Sequence, residues 1–469
     1  MDDRTAAARA ADAAGDDIDE LASALRGELV RPAADDYDDA RRVWNGMVNR
    51  YPAAIAYCKS VSDVRSAVRT ANEAALPASV RSGGHHVAGS CIAAAGLVID
   101  CSRMGWVRVD PRDRTATVGP GTTWGEFDRE TTEFGLATSG GVVSDTGVAG
   151  LTLGGGTGYL SRKHGLAADN LLGADVVTAD GELVHASATE NTDLFWALRG
   201  GDGGFGVVTA FEFELHPIPD ELAVCSVWYP AERAEELLSE FAAYQTDAPD
   251  ESLLSPYFGQ IPDDPACPDH GGEVGLCFSG TYVGDPDVGE REFERFRQGE
   301  DALIDESTRT SYTELQSDSD SGFPHGRRYY WKSVYVDELT TEIRTSLRRR
   351  AASAPNEEFS IIVWPMGGAV NRVEAGETAF RRRDTAFVCS IEANWDDPRT
   401  NHENVEWVRE TAETLRDAGA GGPIPNFEGE TDAATTNDLY GEHYEHLHDI
   451  KETVDPEGRF VGGRFDETG

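Results

Sequence analysis

The segment Val80 to Gly89, VRSGGHHVAG, places an imidazole directly after two adjacent glycines. Glycines that follow a strand let the backbone approach a diphosphate and aim successive N–H groups at it, as in anion-binding nests. A phosphate cradle alone needs no imidazole, so His85 is expected beside a bound cofactor rather than in a core. A second cluster, SGGVVSDTGVAGLTLGGGTGYL from Ser139 to Leu160, combines small residues with no charge except Asp145. Backbone so bare is what a flat, buried ring needs for close packing. The third cluster, RGGDGGFG from Arg199 to Gly206, fits GxGxxG through Gly201, Gly203 and Gly206. A dinucleotide fingerprint must follow a strand and open a helix, whereas this one follows a short helix and opens a strand. A Rossmann nicotinamide site is therefore rejected.

These loops need elements to hold them. Ser60 to Ala75 puts Val61, Val64, Ala67, Val68 and Ala71 at helical spacing, and Pro77 to Arg81 reads as a strand entering the first glycine turn. Gly96 to Cys101 is an apolar strand, and WVRVDPRDRTATVGPG reads as two strands around the Pro111 to Arg114 turn. Asp180 and Gly181 supply the turn of a further hairpin. Asn191 to Leu198 is a short helix, and the following strand ends at Pro217 and Pro219. From about Glu221 the glycine density drops and a second domain begins. Near the end, DLYGEHYEHLHDIKETVDPEGRF reads as one amphipathic helix stopped by Asp455 and Pro456.

Composition narrows the partners. The chain of 469 residues carries 84 acidic and 41 basic side chains, a net charge of −43 that repels nucleic-acid phosphates and anionic lipid headgroups. Acid spread along the whole chain suits a surface solvated in high salt, where screening shortens carboxylate repulsion. No apolar run reaches the length of a membrane span, and the acidic start MDDRTAAARAADAAGDDIDE lacks a signal-peptide core. The seven cysteines form no CxxC pair, so reduced thiols and a cytoplasmic location are expected, without a zinc knuckle. His443, His446 and His448 read as surface histidines rather than metal ligands.

The ordered motifs resemble the FAD-linked oxidases of the berberine bridge enzyme group, in the vanillyl-alcohol oxidase superfamily. The likeness covers LVRPAADDYDDARRVWNGMVNRYPAAIAYC, VRSGGHH, the block from Ser139 to Val177, LFWALRGGDGGFGVVT, RRYYWKSVYVDEL, GGAVNRV and YGEHYEHLHDIKETVDP. It implies an α+β protein: a two-part PCMH-type FAD-binding domain with an inserted α+β substrate domain, an antiparallel sheet covered by helices. The expected division is a flexible acidic tail over 1–25, the FAD domain over 26–219, the substrate domain over 220–425 and a returning C-terminal segment over 426–469. His85 aligns with the histidine that bonds to the flavin 8α-methyl. Arg81, Ser82, Gly83 and Gly84 with Gly89 would hold the diphosphate, and His86 belongs to the same cofactor set. Gly141, Val143, Gly147, Val148, Gly150, Leu151, Gly154, Gly155, Gly156 and Gly158 would line the isoalloxazine and ribityl chain. Asn170, Gly206, Val207 and Val208 complete the implied cofactor set.

Two departures from the family pattern matter. Val143 stands where some members carry a second, cysteinyl flavin link, so a single attachment is expected. Phe427 follows Asn426 where several relatives place a catalytic tyrosine, and a phenyl ring takes no proton. Tyr440 is the first replacement considered, then Tyr444 and Tyr330, with Tyr329 and Tyr335 also in view; a phenol serves as base only if a neighbouring cation lowers its pKa. Arg327, Arg328 and Lys332 are such cations in sequence. Trp364 and Met366 either floor an apolar pocket or fill a core. The expected reaction passes hydride from a small alcohol, sugar or amine to flavin N5, with reoxidation by oxygen. A flavin-binding module without catalysis and an NADPH-linked reductase stay open as alternatives.

Overall fold

The computed structural model describes residues 3–299, 301–430 and 432–465. A four-stranded sheet runs Glu28–Val30, Ala54–Tyr57, Leu97–Asp100, Ala78–Arg81, with the last three strands parallel. Helix Val61–Glu73 covers it, burying Val64, Ala67, Val68 and Ala71, and Ser60 caps its start by accepting from the Asp63 N–H. A five-stranded antiparallel sheet follows in the order Val107–Asp110, Thr115–Val118, Val207–Glu214, Leu171–Val177, Leu183–Ser187. The first glycine loop leaves strand Ala78–Arg81 of the four-stranded sheet, and the second leaves the short strand Leu136–Ala137, which pairs antiparallel with His216–Pro217.

The acidic tail, expected to be flexible and frayed or loosely helical, forms two helices, Asp3–Ala13 and Gly15–Ala24. Ala14, Ile18 and Leu21 recur at helical spacing and are buried against Val64 and Ala67, which anchors the segment despite its acid content. The single C-terminal helix is likewise broken, into Ala433–Tyr440 and Tyr444–Val454. Gly441 turns between them at φ +46°, with the Arg381 guanidinium where a side chain would stand.

From Leu222 to Trp395 the chain builds a second antiparallel sheet whose final strands run Phe359–Pro365, Phe387–Trp395, Arg328–Val336. Alternation gives this sheet two different faces. One carries Tyr330, Val334, Ile361 and Ile391 under the helices Ala234–Gln245, Thr341–Ala351 and Asn401–Asp417, and is the core of this half. The other carries Tyr329, Trp331, Tyr335, Ile362, Trp364 and Val388 and meets Trp44, Val87, Val142, Tyr159 and Leu166 of the glycine-rich half. The chain then returns to the first sheet, where Ala78 donates to Arg459 O and accepts from Val461 N. Among the described residues no helix is long and apolar enough to cross a membrane.

Candidate functional site

The glycine loops touch. A β-carbon added at Gly83 would lie 2.8 Å from Gly147 N, and one at Gly147 would lie 2.8 Å from Gly83 N, so only glycine lets both backbones come this close. Gly84 adds a left-handed turn at φ +65° that swings the chain toward His85 and His86. Gly150 has open space where a side chain would stand. Val143 is buried, and its neighbour Val142 packs against Leu166, Tyr335 and Trp364. This double cradle of bare backbone, beside His85, whose Nε2 lies 3.0 Å from the Asp145 carboxylate, fits a cofactor such as FAD that needs close backbone approach.

Asn426 ties that turn to the C-terminal segment. Its Oδ1 accepts from Gly156 N at 3.0 Å and its Nδ2 donates to Leu151 O at 3.1 Å. The neighbouring Phe427 ring lies parallel to Trp364, centroids 6.1 Å apart at 13°. His85 in turn stacks on Trp44 at 4.2 Å and 19°, and Trp44 stacks on Tyr329 at 3.6 Å. An aromatic wall therefore runs from His85 across the seam to the substrate-half sheet.

Beyond that wall lies the group that sequence reasoning missed. Glu392 sits on strand Phe387–Trp395, cross-paired with Trp331 and so on the face that meets the glycine loops. It is 2% exposed. Ser390 Oγ donates to one carboxylate oxygen at 2.8 Å and Ser360 Oγ to the other at 3.2 Å, while Trp364 Nε1 donates to Ser390 Oγ at 3.2 Å. No cation pairs with it among the described residues. Burial pushes its carboxyl up to about 7, against the two hydroxyl hydrogen bonds. A carboxyl with that affinity, buried behind the aromatic wall, has the proton affinity that general-base chemistry near neutral pH requires. The signal was in the strand: Ser390, Glu392 and Asn394 alternate through an otherwise apolar run.

Of the predicted bases, Tyr329 and Tyr335 share the face toward the glycine loops, and Tyr330, Tyr440 and Tyr444 do not. Tyr330 points to the helix-covered face, where its hydroxyl bonds to Glu430 and Arg409, and burial drives its phenol far above the ordinary range. Tyr440 is 1% exposed with an unpartnered hydroxyl, also raised by burial. Tyr444 packs against Phe465 at 5.6 Å. Tyr329 donates to Pro324 O at 2.6 Å, and Tyr335 is raised by burial despite the Arg382 guanidinium over its ring. Lys332 lowers no phenol; its ammonium is paired with Glu428 at 3.1 Å and Glu430 at 2.9 Å.

Several implied cofactor residues have other work. The Arg81 guanidinium is held by Asp100 and donates to Ala40 O, Arg42 O and the Tyr57 hydroxyl, so most of its donors are used within the fold. Asn170 donates to His164 O and Leu166 O and faces His216 Nε2 at 2.6 Å, which makes it a joint between elements rather than a ligand. Gly206 lets strand Val207–Glu214 press onto Val176 and Val177, and Val207 and Val208 are core. Gly89 abuts Val48, and His86 Nε2 lies 3.1 Å from Pro425 O, with burial lowering its imidazole. Of the C-terminal histidines, His448 alone joins a trio close enough for one ion, with Asp449 and Glu452, which are exposed. A surface cavity of about 640 Å³ lined by Trp196, His443 and His446 includes none of the glycine-loop residues.

Comparison with known proteins points the same way. A family model described as an FAD binding domain matches residues 52–187. The chain is 31% identical over 453 residues to (R)-6-hydroxynicotine oxidase of Paenarthrobacter nicotinovorans, spanning 93% of this chain and 95% of that one. Its structure resembles that of 6-hydroxy-D-nicotine oxidase from Arthrobacter nicotinovorans, with a TM-score of 0.85, 28% identity and coverage of 95% and 98%. It also shares the fold of the glucooligosaccharide oxidase of Acremonium strictum, a 6-S-cysteinyl, 8α-N1-histidyl FAD protein, at a TM-score of 0.83, 24% identity and coverage of 96% and 98%.

Proposed function

The chain belongs to the FAD-linked oxidoreductases with a PCMH-type FAD-binding domain, the family of (R)-6-hydroxynicotine oxidase, and from that premise we propose an oxidase of a small amine or alcohol that uses Glu392 as proton acceptor. FAD, when bound, supplies the acceptor for two substrate electrons and hands them to oxygen. His85 is read as its single covalent anchor, with Val143 offering no second link. The glycine seam holds the cofactor's phosphates and ring by close backbone approach, and the parallel Phe427 and Trp364 rings position a flat substrate group in front of Glu392.

The observation that carries this reading is the wiring of Glu392. A buried carboxylate held only by hydroxyls keeps a free proton affinity near neutrality, whereas one paired with a cation would stay charged and take no proton. Phe427 removes the phenol that relatives place next to the Asn426 anchor, and Glu392 lies two hydrogen bonds, through Ser390, behind the Trp364 ring that Phe427 faces. The amine and alcohol preference follows from saturation. Trp331 Nε1 is already bonded to Asn394 at 2.9 Å and Trp364 Nε1 to Ser390, so this wall has few donors free for the many hydroxyls of a sugar.

The test is anaerobic mixing of the yellow protein, purified in high salt, with panels of small amines, alcohols and sugars. Bleaching by an amine or alcohol, recovery of colour with peroxide release on adding air, and loss of bleaching in Glu392→Gln are the expected results. Bleaching by sugars alone would overturn the substrate class, and unchanged bleaching in Glu392→Gln would overturn the base.

A further inference from the structure

The second glycine loop carries a single carboxylate, Asp145, and the fold brings two histidines onto it. Oδ1 lies 3.0 Å from Nε2 of His85, and neither atom has any other hydrogen-bond partner. Oδ2 lies 2.7 Å from Nε2 of His325, which arrives from the substrate half on an exposed loop. Asp320 braces the loop from the same side, accepting from Ser144 N at 2.8 Å and Ser144 Oγ at 2.6 Å. Stacking on Trp44 fixes the plane of the His85 ring. His85 Nδ1 makes no hydrogen bond among the described residues. Although burial pushes the Asp145 carboxyl up, its hydrogen bonds with His325 and His85 hold it well below the usual carboxylate range, so it is an anion facing an imidazole N–H.

We propose that Asp145 is the positioning residue for flavin attachment: it holds the proton of His85 on Nε2, leaves the Nδ1 lone pair as the nucleophile, and stabilises the positive charge that develops on the ring as the new bond forms. His325 fixes the second carboxylate oxygen and thereby aims the first. The proposal rests on the reading that His85 carries the flavin. An imidazole with one nitrogen engaged as donor presents the other as acceptor, and a carboxylate partner both selects that tautomer and favours the cationic form. The 8α-carbon loses a proton to solvent, the Nδ1–C8α bond forms from the nitrogen lone pair, and the imidazolium so formed, held by the Asp145 carboxylate, gives up its extra proton to solvent. The electron pair of the broken C–H bond stays in the flavin ring system, which is left reduced by two electrons. Molecular oxygen takes that pair and becomes hydrogen peroxide.

The experiment uses apoprotein produced under riboflavin deprivation and then loaded with FAD. Total bound flavin is read by absorbance before denaturation and linked flavin by fluorescence on the denatured chain, over time. The wild type is expected to link through Nδ1, as read by NMR of the flavin peptide. Asp145→Asn is expected to bind FAD in full yet link about tenfold or more slowly, and Asp145→Glu to recover most of the rate. His325→Ala is expected to slow linking less, by about threefold. Asp145→Asn linking at the wild-type rate, or a wild-type link through Nε2, overturns the proposal. If Asp145→Asn binds no FAD, the His325→Ala rate decides, and no slowing there overturns it. Wild-type flavin that all leaves on denaturation overturns the proposal together with the covalent anchor, but leaves the Glu392 reading standing, since that is measured by substrate bleaching.

Discussion

Two glutamates are buried at the same edge of the substrate-half sheet, one on each face, and they have opposite company. Glu428 lies beside the edge strand with Lys332 at 3.1 Å, in a network that takes in Glu430, Arg409 and the Tyr330 hydroxyl. Glu392, on the face toward the glycine loops, has only hydroxyl donors. Burial pushes both carboxyls up, but Lys332 pulls Glu428 back, while nothing of comparable strength acts on Glu392. The difference teaches how one sheet separates stability from chemistry. A buried cation lowers the cost of keeping a carboxylate charged, and hydroxyls lower it less.

The largest expected effect breaks the chemical side. Glu392→Gln keeps the shape and the serine hydrogen bonds but removes the acceptor, so substrate-driven bleaching should slow by about 10²–10⁴ with bound flavin unchanged. The structural side breaks next. Lys332→Met leaves Glu428 and Glu430 buried without their cation, and denaturant unfolding should show a loss of about 3–5 kcal/mol. Exchange of these two outcomes, with Lys332→Met abolishing bleaching in a stable protein, would reverse the assignment of the faces.

A linked stability measurement sharpens the same contrast. The folded-state affinity of Glu392, about 7, is raised above that of an unfolded glutamate. Its contribution is therefore fully present below about pH 4.5 and is lost as pH rises through 7, a total of about 3 kcal/mol. Glu392→Gln, which cannot ionise, should be more stable than the wild type above pH 7 and similar to it below pH 4.5, as read by urea unfolding at the two pH values. The smallest effect belongs to the displaced candidates. Tyr440→Phe removes a hydroxyl that has no partner, and Tyr330→Phe one that faces the helix side, so each should change the bleaching rate by less than about threefold.

What was legible in the sequence was what depends on local chain geometry. Helix Val61–Glu73, the hairpin turning at Gly181 and the strand Val207–Glu214 all announced themselves through periodicity and turn residues. The glycine loops could be read because close backbone approach needs glycine wherever it occurs. The acidic first helices were not legible, because three buried residues, Ala14, Ile18 and Leu21, outweigh their composition only once a partner surface exists. Arg81 and Asn170 looked like ligands since their neighbours in sequence are glycine loops, and only the tertiary fold shows most of their donors already used. Glu392 stood in plain view within FVCSIEANW, yet its proton affinity comes from burial and from the absence of a cation, neither of which one strand can display.

The most direct test of the account is the pH dependence of anaerobic flavin bleaching by a turned-over substrate, compared between the wild type and Glu392→Gln. The account predicts a wild-type rate that rises about tenfold per pH unit and levels off above an apparent pKa of about 7, and a slow Glu392→Gln rate without that inflection. A variant that bleaches at the wild-type rate with the same inflection would contradict it and place the base on another group.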